Sequence, residues 1–197
     1  ARRNAQAEVF VFHQRARSHA MRLIRRPDGE LHYYRHGRKV ARQSYWQDRG
    51  ARRFAPEAER YGLLRARGTG PGVRLFLYFG HEIPESEGSR YDASRSDRSF
   101  TVDDLAAGLQ AFARDGAKFD LVVLSTCFSG TPHTIAALAP YAETIVASPG
   151  SLHLSYMDLQ ALEQLDLGLQ DQDVAAFAGQ FARRAFARLT EAVQTSV

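Results

Sequence analysis

Three short apolar runs, at residues 73–79, 119–124 and 144–147, punctuate the second part of this chain, with helical periodicity between and after them. Each run is of strand length. Strands that alternate with helices return to the same sheet through right-handed crossovers and pair in parallel. This alternation constrains the chain more than any other feature, and it predicts an α/β fold with a mainly parallel sheet flanked by helices. Thr101 stands where an N-cap belongs, with Asp103 and Asp104 in the first turn and Leu105, Leu109 and Phe112 on one face. Gly116 is expected to stop that helix. A short helix is expected over 134–138, and Asp173 opens a tail in which Val174, Phe177, Phe181, Ala185 and Leu189 recur at helical spacing. At 197 residues the chain has the length of one ordinary domain.

The first part reads differently. Val9, Phe10, Val11 and Phe12 form a buried-strand run. The runs 21–25 and 31–35 flank Pro27-Asp28-Gly29, which predicts an N-terminal β-hairpin with arginines on its wet face, and 39–46 extends it. A helix is expected within 52–64, and Gly68 to Gly72 form a loop. Residues 1–74 carry 17 Arg and Lys39 against six acids, a balance of +12, whereas 75–197 balance at −8. The expectation is one domain with a basic, hairpin-rich part (1–72) and an acidic α/β part (73–197). The two charges can attract each other or a partner chain. Nucleic acid is not favoured as a ligand, because no recognised nucleic-acid module accompanies the basic half.

Other classes are excluded or left open. One cysteine, Cys127, rules out an internal disulfide framework and a thiolate-only zinc site. His13, His19, His32 and His36 lack the acid or thiol spacing of a zinc site, so no metal is expected. No run of eighteen apolar residues exists to span a bilayer. The first residue is Ala1 and no apolar leader region follows it, an expectation compatible with a signal or pro-segment already removed. The compartment stays open between secreted, periplasmic and cytoplasmic.

Chemistry gathers at the strand ends. In an open α/β sheet ligands sit outside the carboxyl ends of the strands, and the three apolar runs finish at Gly80-His81, Cys127 and Ser148. An imidazole beside a thiol can take its proton and make it a nucleophile. The backbone N–H groups of Glu82 and Cys127 could then hold a developing oxyanion. The bland alternative makes Cys127 a small buried hydrophobe and His81 a satisfied loop histidine. His133 and His153 compete with His81 as the base.

The order His81, helix-bearing crossover, then Asp120-Leu-Val-Val-Leu-Ser-Thr-Cys127-Phe-Ser-Gly130 resembles the caspase-like superfamily of cysteine peptidases, and within it the clostripain family. The likeness runs from the hairpin near Arg22 to about Leu162 and includes Ile145-Val146-Ala147-Ser148-Pro149. It implies a caspase-like three-layer fold, His81 as general base and Cys127 as nucleophile, acting on a protein or peptide substrate through a thioester. Ser125 and Ser148 fall at substrate-binding positions. In the family the catalytic His is usually followed by Gly, where this chain has Glu82, and the members that cut after Arg or Lys usually carry an acid where Ser125 stands. The stretch 82–99 holds Arg90, Arg95 and Arg98 as processing positions. Calcium dependence occurs among relatives, with acids of 82–104 as oxygen ligands; no organic cofactor is implied. The family's first strand and helix have no counterpart here, so a partner chain or a cleaved N-terminal segment is expected to complete the sheet edge. The alternative function is a catalytically degenerate subunit or adaptor.

Overall fold

The computed structural model describes residues 7–15, 19–20, 24–48, 54–65, 72–86, 100–113, 116–152 and 171–194. The chain divides into two compact units, one of residues 1–69 with 163–167, the other of 70–162 with 168–197.

In the first unit β1 (Glu8–Gln14), β4 (Gly29–Arg35) and β5 (Arg38–Tyr45) form an antiparallel sheet in the order β1-β4-β5. A two-stranded ladder joins β2 (His19–Ala20) to β3 (Ile24–Arg25). The hairpin therefore lies elsewhere than the sequence predicts. Its turn is His36-Gly37, where both residues have positive φ (51° and 69°), as the turn type matched to strand twist requires. Pro27-Asp28-Gly29 is instead a junction. The Asp28 carbonyl accepts the Arg15 N–H at 2.7 Å, and its buried carboxylate accepts the Gln47 N–H at 2.9 Å. These non-local bonds tie the ends of β1 and β5 to the start of β4, so residues 24–25 turn back to β2 and leave β4 to β1.

Helix α1 (Ala55–Leu64) follows Phe54 and has Pro56 in its first turn. Phe10 stacks on Tyr33 with centroids 4.6 Å apart and meets Tyr61 of α1 edge-on at 4.9 Å. Glu57 is fully buried, and its Oε1 accepts hydrogen bonds from Gln14 Nε2 (3.0 Å) and the Tyr45 hydroxyl (2.6 Å). Burial, then the charge and hydrogen bond of Glu57, push the Tyr45 phenol far up. Burial and the hydrogen bond to Glu8 push Tyr33 up to about 12. On the opposite face Glu30 is buried beneath Arg15 and Arg42, with His32 Nε2 3.3 Å from its Oε1.

The second unit has the expected alternation. Strands β6 (Leu75–Phe79), β7 (Phe119–Ser125) and β8 (Ala142–Val146) are parallel, in the order β6-β7-β8. Helix α2 (Val102–Phe112) covers one face, where Phe76 meets Phe112 at 5.8 Å and Phe119 at 5.6 Å. It starts at a full capping box: Thr101 Oγ1 accepts the Asp104 N–H, and Asp104 returns the bond to the Thr101 N–H. Short helix α3 (Pro132–Leu138) packs beside α2. Helix α4 (Asp171–Gln194) covers the other face, burying Val174, Ala178, Phe181 and Ala185 against Leu121 and Val123. The alternation 121/123 against 122/124 sends adjacent β7 residues to opposite layers, which is why β7 is apolar from Leu121 to Leu124. The result is a helix–sheet–helix sandwich whose carboxyl edge is formed by the ends of β6, β7 and β8.

Candidate active site at the carboxyl edge of the parallel sheet

The register fixes which residues meet at that edge. Phe79 pairs with Ser125 and Val123 with Val146. His81 and Cys127 each lie two residues beyond a paired position, and Gly150 and Cys127 each lie four beyond another. Counted on from those pairs, His81, Cys127 and Gly150 lie in the segments that leave the carboxyl ends of β6, β7 and β8.

Local bonds hold each exit in place. Beyond β6, the Gly80 N–H donates to the Ser125 carbonyl at 3.4 Å, and His81 and Glu82 are exposed. Ile83 is buried, and the Pro84 carbonyl accepts the Val102 N–H at 2.9 Å, which ties this exit to the start of α2. Glu85 accepts a hydrogen bond from Thr131, the N-cap of α3. That contact joins the histidine-bearing segment to the one that follows the cysteine.

Beyond β7, Thr126 is buried and Cys127 half-buried. Phe128 has φ of 49° and an exposed ring, so the chain turns sharply right after the cysteine. Ser129 is buried; its hydroxyl donates to the Thr126 carbonyl (3.1 Å) and accepts the Ser148 N–H (3.3 Å). The Cys127 sulfur donates to the Leu152 carbonyl and accepts the Leu152 N–H, both at 3.3 Å, with Ser151 Oγ at 3.8 Å. His81 is not among these partners. The amide N–H groups of Cys127 and Glu82 have no acceptor among the described residues.

The remaining sequence candidates fall as follows. Ser125 is fully buried, and its Oγ has no hydrogen-bond partner among the described residues. Ser148 Oγ is engaged inside its own turn, donating to the Gly150 carbonyl (3.1 Å) and accepting the Gly150 N–H (3.3 Å). His133 is exposed in the first turn of α3. Arg90, Arg95, Arg98 and His153 lie outside the described residues. Among the described residues no group of three or more His, Cys, Asp or Glu is arranged to hold a metal ion, and no helix is long and apolar enough to cross a membrane. Asp104, one of the acids considered for calcium, is committed to the capping box.

Sequence reasoning missed Leu152 and the Glu85–Thr131 contact. The first acts through its backbone, which has no signature in a sequence. For the second, the N-capping threonine was a readable signal, but its partner lies 46 residues away.

No protein-family model matches the chain, and no curated protein matches it in sequence. Among solved structures, the chain is similar to a secreted C11 cysteine protease from Bacteroides thetaiotaomicron in complex with an irreversible peptide inhibitor. The TM-score is 0.56 at 12% sequence identity, over 81% of this chain and 46% of the other. The chain thus spans less than half the length of that protease. At this identity the likeness is one of fold, and the chain has the caspase-like α/β architecture.

Proposed function

We propose that this chain is a cysteine endopeptidase of the clostripain type, in which Cys127 attacks the scissile carbonyl of a protein substrate and His81 carries the proton. The observation that carries the reading is the register of the sheet, which brings the ends of the histidine and cysteine strands to one edge position. In this reading substrate binding brings the imidazole and the thiol within hydrogen-bond reach, which proton transfer demands.

In this reading the Cys127 thiol gives its proton to His81 as sulfur bonds to the carbonyl carbon. The carbonyl oxygen takes up the negative charge and meets the N–H groups of Glu82 and Cys127. Collapse of the adduct breaks the C–N bond, His81 returns the proton to the departing amine, and a thioester remains. Water, giving a proton to His81, then adds to the thioester; its collapse releases the acid, and the thiol is restored. Ser125 lies beneath the nucleophile and Ser148 beside it, and neither brings a carboxylate to neutralise a cation. Cleavage at Arg90, Arg95 or Arg98 accelerates the chemistry in this scheme and is not required for it.

A peptidyl acyloxymethyl ketone tests the reading. The native protein should take up one equivalent, and the adduct can sit only on Cys127, the single cysteine. His81→Ala should slow that reaction about a hundredfold or more. A native protein that forms no adduct, although its unfolded form alkylates, would refute the proposal. One observation favours a second reading, a non-catalytic subunit: the sulfur bonds to Leu152 rather than to an imidazole. On that reading the native protein forms no adduct and His81→Ala changes nothing.

A further inference from the structure

The Cys127 sulfur is held by a peptide of its own chain. After β8 the backbone turns at Ser148 to Gly150 and runs back across the cysteine loop. The Gly130 N–H donates to the Ser148 carbonyl at 2.8 Å and the Phe128 N–H to the Gly150 carbonyl at 2.9 Å. Gly130 permits this approach, since a Cβ there would lie 2.9 Å from Pro149 N and 3.0 Å from Ser148 C. Two residues further on, both polar groups of Leu152 reach the sulfur at 3.3 Å. The Leu152 side chain packs against the Leu121, Val123, Val174, Ala178, Phe181 and Ala185 cluster beneath α4. The strap is pinned by hydrogen bonds at one end and by apolar contact at the other.

Its chemistry works against reaction. The thiol donates to the Leu152 carbonyl and the Leu152 N–H donates to the sulfur, so one peptide occupies both sides of the sulfur's hydrogen bonding. A substrate carbonyl must also come within about 3–3.5 Å of sulfur, and the Leu152 peptide already holds that ground. Leu152 is not itself in position for attack. A sulfur hydrogen-bonded to a carbonyl oxygen lies beyond the oxygen rather than over the carbon.

We propose that the 148–152 strap is a latch that keeps Cys127 a covered thiol, and that a peptide substrate displaces Leu152 from the sulfur when it binds. The proposal rests on the reading of Cys127 as the nucleophile, and its test separates the two. The full chain is alkylated with iodoacetamide at pH 7 and followed by intact mass, well below its melting temperature. Leu152→Ala removes the apolar anchor; Gly130→Ala pushes the strap off from the other side and serves if the first variant fails to fold. Each should alkylate about two- to tenfold faster than the wild type, the worth of one hydrogen bond. Leu152→Met, which keeps an anchor of similar volume, should return the rate to that of the wild type. Faster alkylation in the variants of a protein that takes no peptidyl ketone would support the latch and refute the peptidase. Equal or slower alkylation in both folded variants of a protein that does take the ketone would refute the latch and leave the peptidase standing.

Discussion

Ser125 offers a sharp test of how the site is built. It is the last residue of β7, fully buried, with a side-chain oxygen that has no partner among the described residues. In the unfolded chain that hydroxyl is hydrated. Folding removes the water, and no described group replaces it. The penalty for a buried, unsatisfied hydroxyl is about 1–3 kcal/mol. Ser125→Ala deletes one oxygen and leaves a methyl, so the cavity term is small beside the penalty removed. The variant should be more stable by about 1–2 kcal/mol, which for a chain of this size raises Tm by roughly 2–8 °C. Thermal melts and urea titrations read this directly, and an unchanged urea slope would show that the unfolded state is unaltered. Thr126→Val, at a neighbouring buried hydroxyl of the same kind, should move in the same direction.

Ser125→Asp carries the argument to its opposite limit. A carboxylate at this position would be buried without a described cation, at a cost of several kcal/mol. It should unfold the second unit or shift its Tm down steeply. If Ser125 instead opened onto a substrate pocket, the aspartate would be hydrated, the fold would tolerate it, and Arg or Lys would become preferred before the cleaved bond. A Ser125→Ala variant that melts at or below the wild-type temperature, or a stable Ser125→Asp variant, would refute the burial argument.

Three further outcomes are expected. Thr101→Ala breaks the capping box of α2 and should cost about 1 kcal/mol, a Tm loss of roughly 2–4 °C, whereas Thr101→Ser should recover most of it. Gly29→Ala would place a Cβ 2.3 Å from the Tyr45 ring and should destabilise the first unit by about 1–3 kcal/mol, read as a lost near-ultraviolet dichroism signal or an earlier urea midpoint. His32 is held below its ordinary pKa by burial first, then by Lys39, Arg42, Arg15 and His13, and the Glu30 carboxylate beside it is already matched by Arg15 and Arg42. Below pH of about 6.5 the unfolded chain therefore takes up this proton more readily than the folded one, and stability should fall as the pH drops. His32→Gln should flatten that part of the Tm–pH curve; an unchanged slope would show that the shift belongs to another group.

Local patterns carried most of the second unit into view. Its strands carry runs of apolar residues, Leu75–Phe79 and Leu121–Leu124 above all, and α2 and α3 begin at residues whose side chains cap them, Thr101 and Thr131. Such signals lie within a few residues of one another. The first unit was less legible because two turn signals compete there. Pro27-Asp28-Gly29 is the more conspicuous in sequence, yet His36-Gly37 closes the hairpin, and the decision rests on bonds from Asp28 to Arg15 and Gln47, 13 and 19 residues away.

The site divides along another line. His81, Cys127, Ser125 and Ser148 could be named as candidates from sequence because a side chain announces its chemistry, and parallel pairing puts the ends of β6 and β7 together whatever lies between them. What each side chain is doing could not be named, because the groups that decide it are peptide units. The Cys127 sulfur answers to the N–H and C=O of Leu152, which any non-proline residue would offer, and the approach of that segment depends on Gly130 having no side chain. Leu152 is distinguished only by its apolar anchor beneath α4. A polar residue at 152 would leave the sulfur's neighbours chemically unchanged and yet release them, since nothing would hold the strap against the core. On the latch proposal, the reactivity of the thiol is thus set by packing of Leu152 against the cluster of Leu121, Val123 and Phe181, a layer below the edge that carries Cys127.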